Sequence, residues 1–226
     1  MRIALIQPPI EDFYSTPQRT YPLGLTYLAT AIKNLPIEIQ ILDFITGHGR
    51  QTIPIPSTFE NLKKYLRYDH SPISAFHTYY HWGASWKYIS DYFTKEQYDI
   101  CAISSNFFTY SQEVIKLAHI IKSISPNCLV LVGGQNVGPE HELFTSCPDI
   151  DHCIMGEGDV AFRQYVQSII DDRNTIDSTP GLWNIKKQDW NDNPLITSFD
   201  FKPKANILPT DKYRIASKPA IMLSTS

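Results

Sequence analysis

Five short apolar runs, spaced along the chain with helix-patterned stretches between them, limit its fold more than any other feature. Ile3 to Ile6 is continuous and apolar and stops at Pro8-Pro9, which have no N–H to give to a sheet ladder. Ile37-Glu38-Ile39-Gln40-Ile41-Leu42-Asp43-Phe44 alternates at first and then turns apolar, as a strand near a sheet edge does. Asp99 to Ser105 and Cys128 to Gly134 read as buried strands, and His152 to Met155 as a shorter one. Between them, Pro22 to Lys33 places Leu25, Leu28, Ala29 and Ile32 on one helical face, with Pro22 suited to the first turn. Ser111 to Ile124 repeats the pattern with Val114, Leu117, Ala118 and Ile121. A short helix is expected near Pro139 to Thr145, and another from about Val160 to Ile170. Strand and helix alternating this regularly predict a parallel sheet covered on both faces. The expected fold is α/β and flavodoxin-like (Rossmann-like): a five-stranded parallel sheet in the order 2-1-3-4-5, with ligands beyond the carboxyl ends of its strands.

Two segments fall outside this repeat. Residues 47–96 are too long for one crossover and rich in aromatics: Tyr65, Tyr68, Phe76, Tyr79, Tyr80, Trp82, Trp86, Tyr88, Tyr92 and Phe93. They are expected to form a helical insertion, with helices near Phe59 to Tyr68 and Trp86 to Phe93, capping one end of the sheet. From Asp171 the chain turns polar and carries Pro180, Pro194, Pro203, Pro209 and Pro219, as a linker or strap would.

Composition narrows the class of protein. A chain of 226 residues buries a substantial core, and a net charge of −3 offers no footprint for nucleic acid or an anionic membrane. No apolar run approaches the roughly 20 residues that span a bilayer, and the N-terminus enters a strand without the regions of a signal peptide. A cytoplasmic location is expected. Cys101, Cys128, Cys147 and Cys153 are scattered, without C-x-x-C spacing, and read as structural thiols.

The candidate functional residues all follow predicted strands. Pro8-Pro9 follows the first, Asp43 ends the second, Ser104-Ser105-Asn106 the third, Gly133-Gly134-Gln135 the fourth and Gly156-Glu157-Gly158 the fifth. Singly these are ordinary turn residues; together they point to one ligand site. Flavin is disfavoured, because Pro8-Pro9 offers no N–H groups for a phosphate. A phosphoacceptor receiver would need an aspartate where Ser104-Ser105 stands. Gly133-Gly134 lets a large planar ligand or its tail approach the backbone, and Ser104 and Ser105 offer hydroxyls to a heterocyclic nitrogen. Gly156 to Ala161 matches G-x-G-x-x-A, but after the last strand and with Glu157 and Asp159 where a pyrophosphate would sit. His77 and His81 have metal-pair spacing without a third ligand, so an aromatic cap is the expected home for them.

In their order and spacing, several stretches resemble the cobalamin-binding domain of B12-dependent radical SAM proteins. They are Pro22 to Ala29 (with Leu23-Gly24), Trp82-Gly83-Ala84-Ser85-Trp86, Ile103 to Tyr110 (with Phe107), Val132 to Asn136 and Gly156 to Asp159. The closing Leu223-Ser224-Thr225-Ser226 resembles the first barrel strand of such proteins, just before their C-x-x-x-C-x-x-C loop. The resemblance implies a cobalamin-binding-like domain at 1–175, then a linker and first barrel strand at 176–226, with the rest of the chain's own C-terminal radical SAM barrel beyond. It implies that the glycine and serine loops flank the cobalamin tail and that the first loop faces the underside of the corrin. It also implies a 4Fe-4S cluster and S-adenosylmethionine in the full-length protein, a methyltransferase- or cyclase-like enzyme. The present residues are expected to be inactive alone.

Two departures stand out. The D-x-H-x-x-G motif of cobalamin mutases is absent, and Pro8 to Tyr14 contains no histidine, which implies histidine-off cobalamin. The usual S-x-L reads Ser104-Ser105-Asn106, polar at its third position, where Phe107 or Phe108 would supply the apolar wall. The alternative reading is a cobalamin-free flavodoxin-like domain of the same lineage that docks or covers a substrate.

Overall fold

The computed structural model describes residues 1–14, 21–62, 78–171, 174–184, 187–193, 208, 210–215 and 218–220. Strand β1 is Arg2–Gln7 and β2 is Ile10–Asp12. Helix α1 is Leu23–Ile32, followed by β3 (Glu38–Asp43), β4 (Arg50–Ile53), β5 (Tyr79–Trp82) and α2 (Trp86–Lys95). Then come β6 (Ile100–Ser104), α3 (Ser111–Ile124), β7 (Leu129–Gly133), α4 (His141–Thr145), β8 (His152–Ile154) and α5 (Gly158–Asp171).

The main sheet runs β3-β1-β6-β7-β8 with all pairings parallel. Counted along the chain, that is the expected order 2-1-3-4-5. Its strands read as continuous apolar runs because both faces are covered. Ala4, Ile6, Cys101, Ile103, Val130 and Val132 pack against Ile89 and Phe93 of α2, Val114, Leu117 and Ile121 of α3, and Phe144 of α4. The alternate residues Ile3, Leu5, Ile100, Ala102, Leu131 and Ile154 meet Leu25, Ala29 and Ile32 of α1 and Phe162, Tyr165 and Val166 of α5. Each large side chain buried this way contributes about 1.5–3 kcal/mol. Burial on this scale, rather than helix propensity, holds a ten-residue helix such as α1 in place.

The segment 47–96 holds more than helices. Strands β2, β5 and β4 form a small antiparallel sheet, pairing Ile10 and Arg50 to Trp82, and Asp12 and Thr52 to Tyr80. Tyr79-Tyr80-His81-Trp82 is too short to show alternation, and its partners are distant in sequence, so periodicity did not reveal it. Near the first expected helix the chain makes a 3₁₀ turn at Ser57–Leu62; Tyr65, Tyr68, Phe76 and His77 lie outside the described residues. Helix α2 forms where expected, with Ser85 Oγ accepting the Tyr88 N–H at 3.2 Å. It lies on a sheet face, through Ile89 and Phe93, rather than across the sheet's end.

Beyond α5 the chain returns to the sheet. Leu182 bridges Ile154, the Met155 N–H donates to Gly181 O at 2.9 Å, and Trp183–Asn184 (β9) pairs with Asp189–Trp190 (β10). Residues on both sides of position 175 therefore share one hydrogen-bonded layer. Arg214–Ile215 (β11) and Lys218–Pro219 (β12) form a second hairpin. Just before it the buried Tyr213 donates its hydroxyl to Asp43 Oδ2 at 2.8 Å and meets the Tyr21 ring edge-on at 4.9 Å. Leu223 to Ser226 lie outside the described residues. Among those described, no helix is long and apolar enough to cross a membrane.

Tyr213→Phe removes a donor from a carboxylate oxygen. It should cost about 1.5–3 kcal/mol, the usual size for a hydrogen bond to a charged group, read as a lower urea midpoint. An unchanged midpoint would show that the C-terminal segment is not anchored at Asp43.

Candidate functional site

The carboxyl ends of the main strands form a row. Gln7 pairs with Asp43, Ser104 with Gly133 and Gly133 with Ile154, while Ile6 pairs with Ile103, which sets Gln7 beside Ser104. Side chains alternate along a strand, and Leu5, Ala102, Leu131 and Ile154 face the α1/α5 layer. The last rung (Asp43, Gln7, Ser104, Gly133, Ile154) therefore faces that layer too. Because the crossovers return each helix antiparallel to its strands, α1 and α5 begin at this same end of the sheet.

The predicted residues divide into two groups. Leu23, Gly24, Ser104, Gly133 and Gly158 surround the space between the last rung and the first turns of α1 and α5. A Cβ on Gly24 would meet nothing within 4 Å, and one on Gly133 would meet only Ile154 O, at 3.7 Å. Among the described residues Ser104 Oγ has no hydrogen-bond partner. Gly158 packs where α5 meets α1, its would-be Cβ standing 3.3 Å from Leu28 Cδ2.

The second group is occupied by internal structure. Asp43 Oδ1 accepts the N–H groups of Ile45 and Thr46 at 2.9 and 3.1 Å and lies 3.4 Å from Gln7 Nε2, while Oδ2 takes the Tyr213 hydroxyl. Pro8 and Pro9 are buried where the chain leaves β1 for β2. Ser105 is buried, its carbonyl accepting the Asn136 N–H at 3.1 Å and its Oγ accepting Asn136 Nδ2 at 3.1 Å. Gly134 has φ +126°, and a Cβ there would collide with the Ser105 carbonyl, so the double glycine lets loop approach loop at this position. Asn106, Gln135, Gly156 and Glu157 are exposed. Phe107 and Phe108 are 46% and 66% exposed, which leaves an aromatic surface at this edge rather than a closed wall.

Three organising side chains escaped sequence reasoning. Asn136 Nδ2 also donates to Ser111 Oγ at 2.8 Å, tying the loop after β7 to the start of α3. Asn193 Nδ2 donates to the carbonyls of Met155 and Glu157 at 2.8 and 3.1 Å, fixing the Gly156 loop from outside the repeat. Glu113 belongs to a buried cluster on the other side of α3. Asn136 directly follows the glycine loop, and that adjacency was the available signal; Asn193 and Glu113 had none.

In that cluster Glu11 Oε1 accepts from His81 Nδ1 and Trp86 Nε1, both at 2.9 Å. The His81 bond holds the Glu11 carboxyl below its usual range against the opposing effect of burial, and Trp86 adds to it. His81 Nε2 faces Ala84 O at 2.8 Å, so both ring nitrogens are engaged and neither is left for a metal. Among the described residues no three His, Cys, Asp or Glu side chains form a metal-binding group. The four cysteines are free thiols, with Cys101, Cys128 and Cys153 buried.

Against this geometry, the sequence matches the B12 binding domain family over residues 14–166. The chain belongs to that family. The chain is 26% identical to an uncharacterized methyltransferase of Pyrococcus horikoshii, over its whole length and 43% of that protein. It is 23% identical to the cytidylyl-2-hydroxyethylphosphonate methyltransferase of Streptomyces wedmorensis, over 74% of this chain and 28% of that protein. It is 31% identical to the cobalamin-dependent radical SAM methyltransferase TokK of Streptomyces tokunonensis, over 37% of this chain and 12% of that protein. The chain thus spans less than half the length of these curated relatives.

The two glycines should respond differently to the same change. Gly134→Ala, strained in φ and blocked by backbone, should lose about 1–3 kcal/mol of stability. Gly133→Ala should stay within about 0.5 kcal/mol of the parent. Thermal melts of the two variants measure the contrast, and equal losses would contradict the assignment.

Proposed function

We propose that this B12-binding domain holds cobalamin with its nucleotide tail between the last rung and the α1/α5 layer. In this reading no histidine of the domain ligates cobalt, and the domain serves a cobalamin-dependent radical SAM methyltransferase. The observation that carries the reading is the cradle at Gly133 and Gly24, where Cβ atoms would meet almost nothing on a face otherwise filled with Leu, Ile and Phe. Ser104 Oγ stands in the same row, able to donate to or accept from a heterocyclic nitrogen.

The two helix starts differ in what they favour. The first turn of α1 carries no acidic residue; the Leu23 N–H is bonded to Tyr21 O at 2.9 Å, and the N–H groups of Gly24 and Leu25 suit the phosphate of a nucleotide tail. The first turn of α5 carries Asp159, with Glu157 just before it, and suits a neutral group. Bound cobalamin would supply a cobalt centre able to carry a methyl group. The exposed rings of Phe107 and Phe108 would offer an apolar surface to the corrin or to a partner module.

The histidine-off assignment rests on the loop from Pro8 to Tyr14, which has no histidine, and on the full engagement of His81 by Glu11 and Ala84. His48 packs against Tyr88. His70 and His77 lie outside the described residues. The radical SAM assignment is supported by the partial likeness to TokK. Cysteines for a 4Fe-4S cluster would have to come from outside these residues, whose four cysteines lack C-x-x-x-C-x-x-C spacing.

Gel filtration after mixing with hydroxocobalamin should leave the chromophore on the protein, with a spectrum lacking histidine ligation. Gly133→Val, a β-branched residue in a strand, should keep the circular dichroism of the parent and lose about 90% or more of the retained cobalamin by filling the cradle. A folded parent that retains no form of cobalamin would overturn the reading. A Val variant that retains as much as the parent would move the tail elsewhere.

A further inference from the structure

Among the described residues Glu113 and Asp159 are the buried acids, and Glu113 stands apart from the proposed cofactor site. It lies in the first turn of α3, 5% exposed. Its Oε1 accepts the backbone N–H of Glu11 at 3.2 Å, and its Oε2 is buried with no partner. One turn away, the Tyr110 hydroxyl donates to Asp12 Oδ2 at 2.6 Å. The start of α3 therefore grips β2 at two successive residues, directly after Pro8-Pro9. The same helix start holds Asn136 through Ser111 and so reaches the loops after β6 and β7.

We infer that Glu113 positions the segment leaving β1, acting through Glu11, and that the buried packing behind this grip is favoured while its carboxyl carries a proton. A positioning residue is meant, since Glu113 faces the β1 exit from behind and does not line the cradle. As a role toward bound cobalamin, the inference rests on the cofactor reading above.

The surroundings explain the preference for the proton. From β2 comes the Glu11 carboxylate, and from β5 come His81 and the Tyr79 hydroxyl, which donates to Glu11 O at 2.9 Å. From α3 itself comes Lys116, whose Nζ lies 4.5 Å over the Trp86 ring and whose charge acts on Glu11. His81 is already committed to Glu11. An ionised Glu113 would be a buried charge with only two backbone N–H groups beside it, its own and that of Glu11, and it would face a second carboxylate. Burial pushes its carboxyl from the ordinary 4.5 up to about 7; its own backbone N–H opposes the rise, the Glu11 carboxylate adds to it, and the Glu11 N–H and His81 oppose it. Because the folded value is raised, the stabilisation is full below 4.5 and is lost as pH rises through about 7.

Two readouts test this. In ¹⁵N spectra the indole N–H of Trp86, bonded to Glu11 and assigned by loss in Trp86→Phe, should shift with a midpoint near 7. It should not shift in Glu113→Gln, which keeps the acceptor for Glu11 N–H. Methylcobalamin should dissociate about fivefold faster at about pH 8 than at about pH 6 from the parent, and at one slow rate from Glu113→Gln. A Trp86 resonance that does not titrate in the parent, or titrates equally in the variant, overturns the inference whether or not cobalamin binds. Titration with a dissociation rate independent of pH also overturns it. Titration in a folded protein that binds no cobalamin at any pH supports the proton-linked grip and removes the cofactor reading instead.

Discussion

The contact between Gly134 and the Ser105 carbonyl governs the carboxyl end of the main sheet, where the candidate site lies. Two loops that leave adjacent parallel strands come close enough to exclude a side chain, and Asn136 locks them with bonds to Ser105 and Ser111. A parallel sheet buried on both faces has no room for polar groups along its strands, so its polar chemistry collects where the strands end. Once the knot around Asn136 has fixed those ends, Ser104 and Gly133 face α1 and α5 as a matter of register. The start of α3 is held by the same bonds.

That end of the sheet has two sides with different tasks. Toward α1 and α5 lie the small and hydroxyl residues, Gly24, Ser104 and Gly133, with open space around the glycines. Toward the small antiparallel sheet lie Glu11 and Trp86, half-buried, with His81 and Glu113, buried, all joined by hydrogen bonds through Glu11. In the proposed reading the first side takes a ligand and the second holds the β1 exit. The C-terminal residues serve the first: Asn193 fixes the Gly156 loop and Tyr213 donates to an oxygen of Asp43.

Much of the fold was legible in the sequence because burial writes itself as periodicity. Ile3 to Ile6 and Leu129 to Val132 are apolar throughout because both sides are covered, and Val114, Leu117 and Ile121 recur at the spacing of one helical face. The small sheet was not legible, since four-residue β5 shows no period and pairs with segments far away in the chain. At the site, the sequence located the loops but not the direction of their bonds. Ser104 and Ser105 are neighbours of one type, yet one faces the cradle and the other is consumed by Asn136. Gly133 and Gly134 divide in the same way. Asp43 and Tyr213 are 170 positions apart, and nothing local announces such a bond.

The most direct test of the central claim is hydrogen exchange of the intact chain with and without methylcobalamin, followed by peptide mapping. The account predicts slowed exchange in the first turn of α1 from Leu23, in Ser104 to Asn106, in Gly133 to Gln135 and in Gly156 to Gly158, with little change around Trp183 and Trp190. Protection confined to the Trp183–Trp190 hairpin, or absent from the Ser104 and Gly133 segments while cobalamin is demonstrably bound, would contradict it.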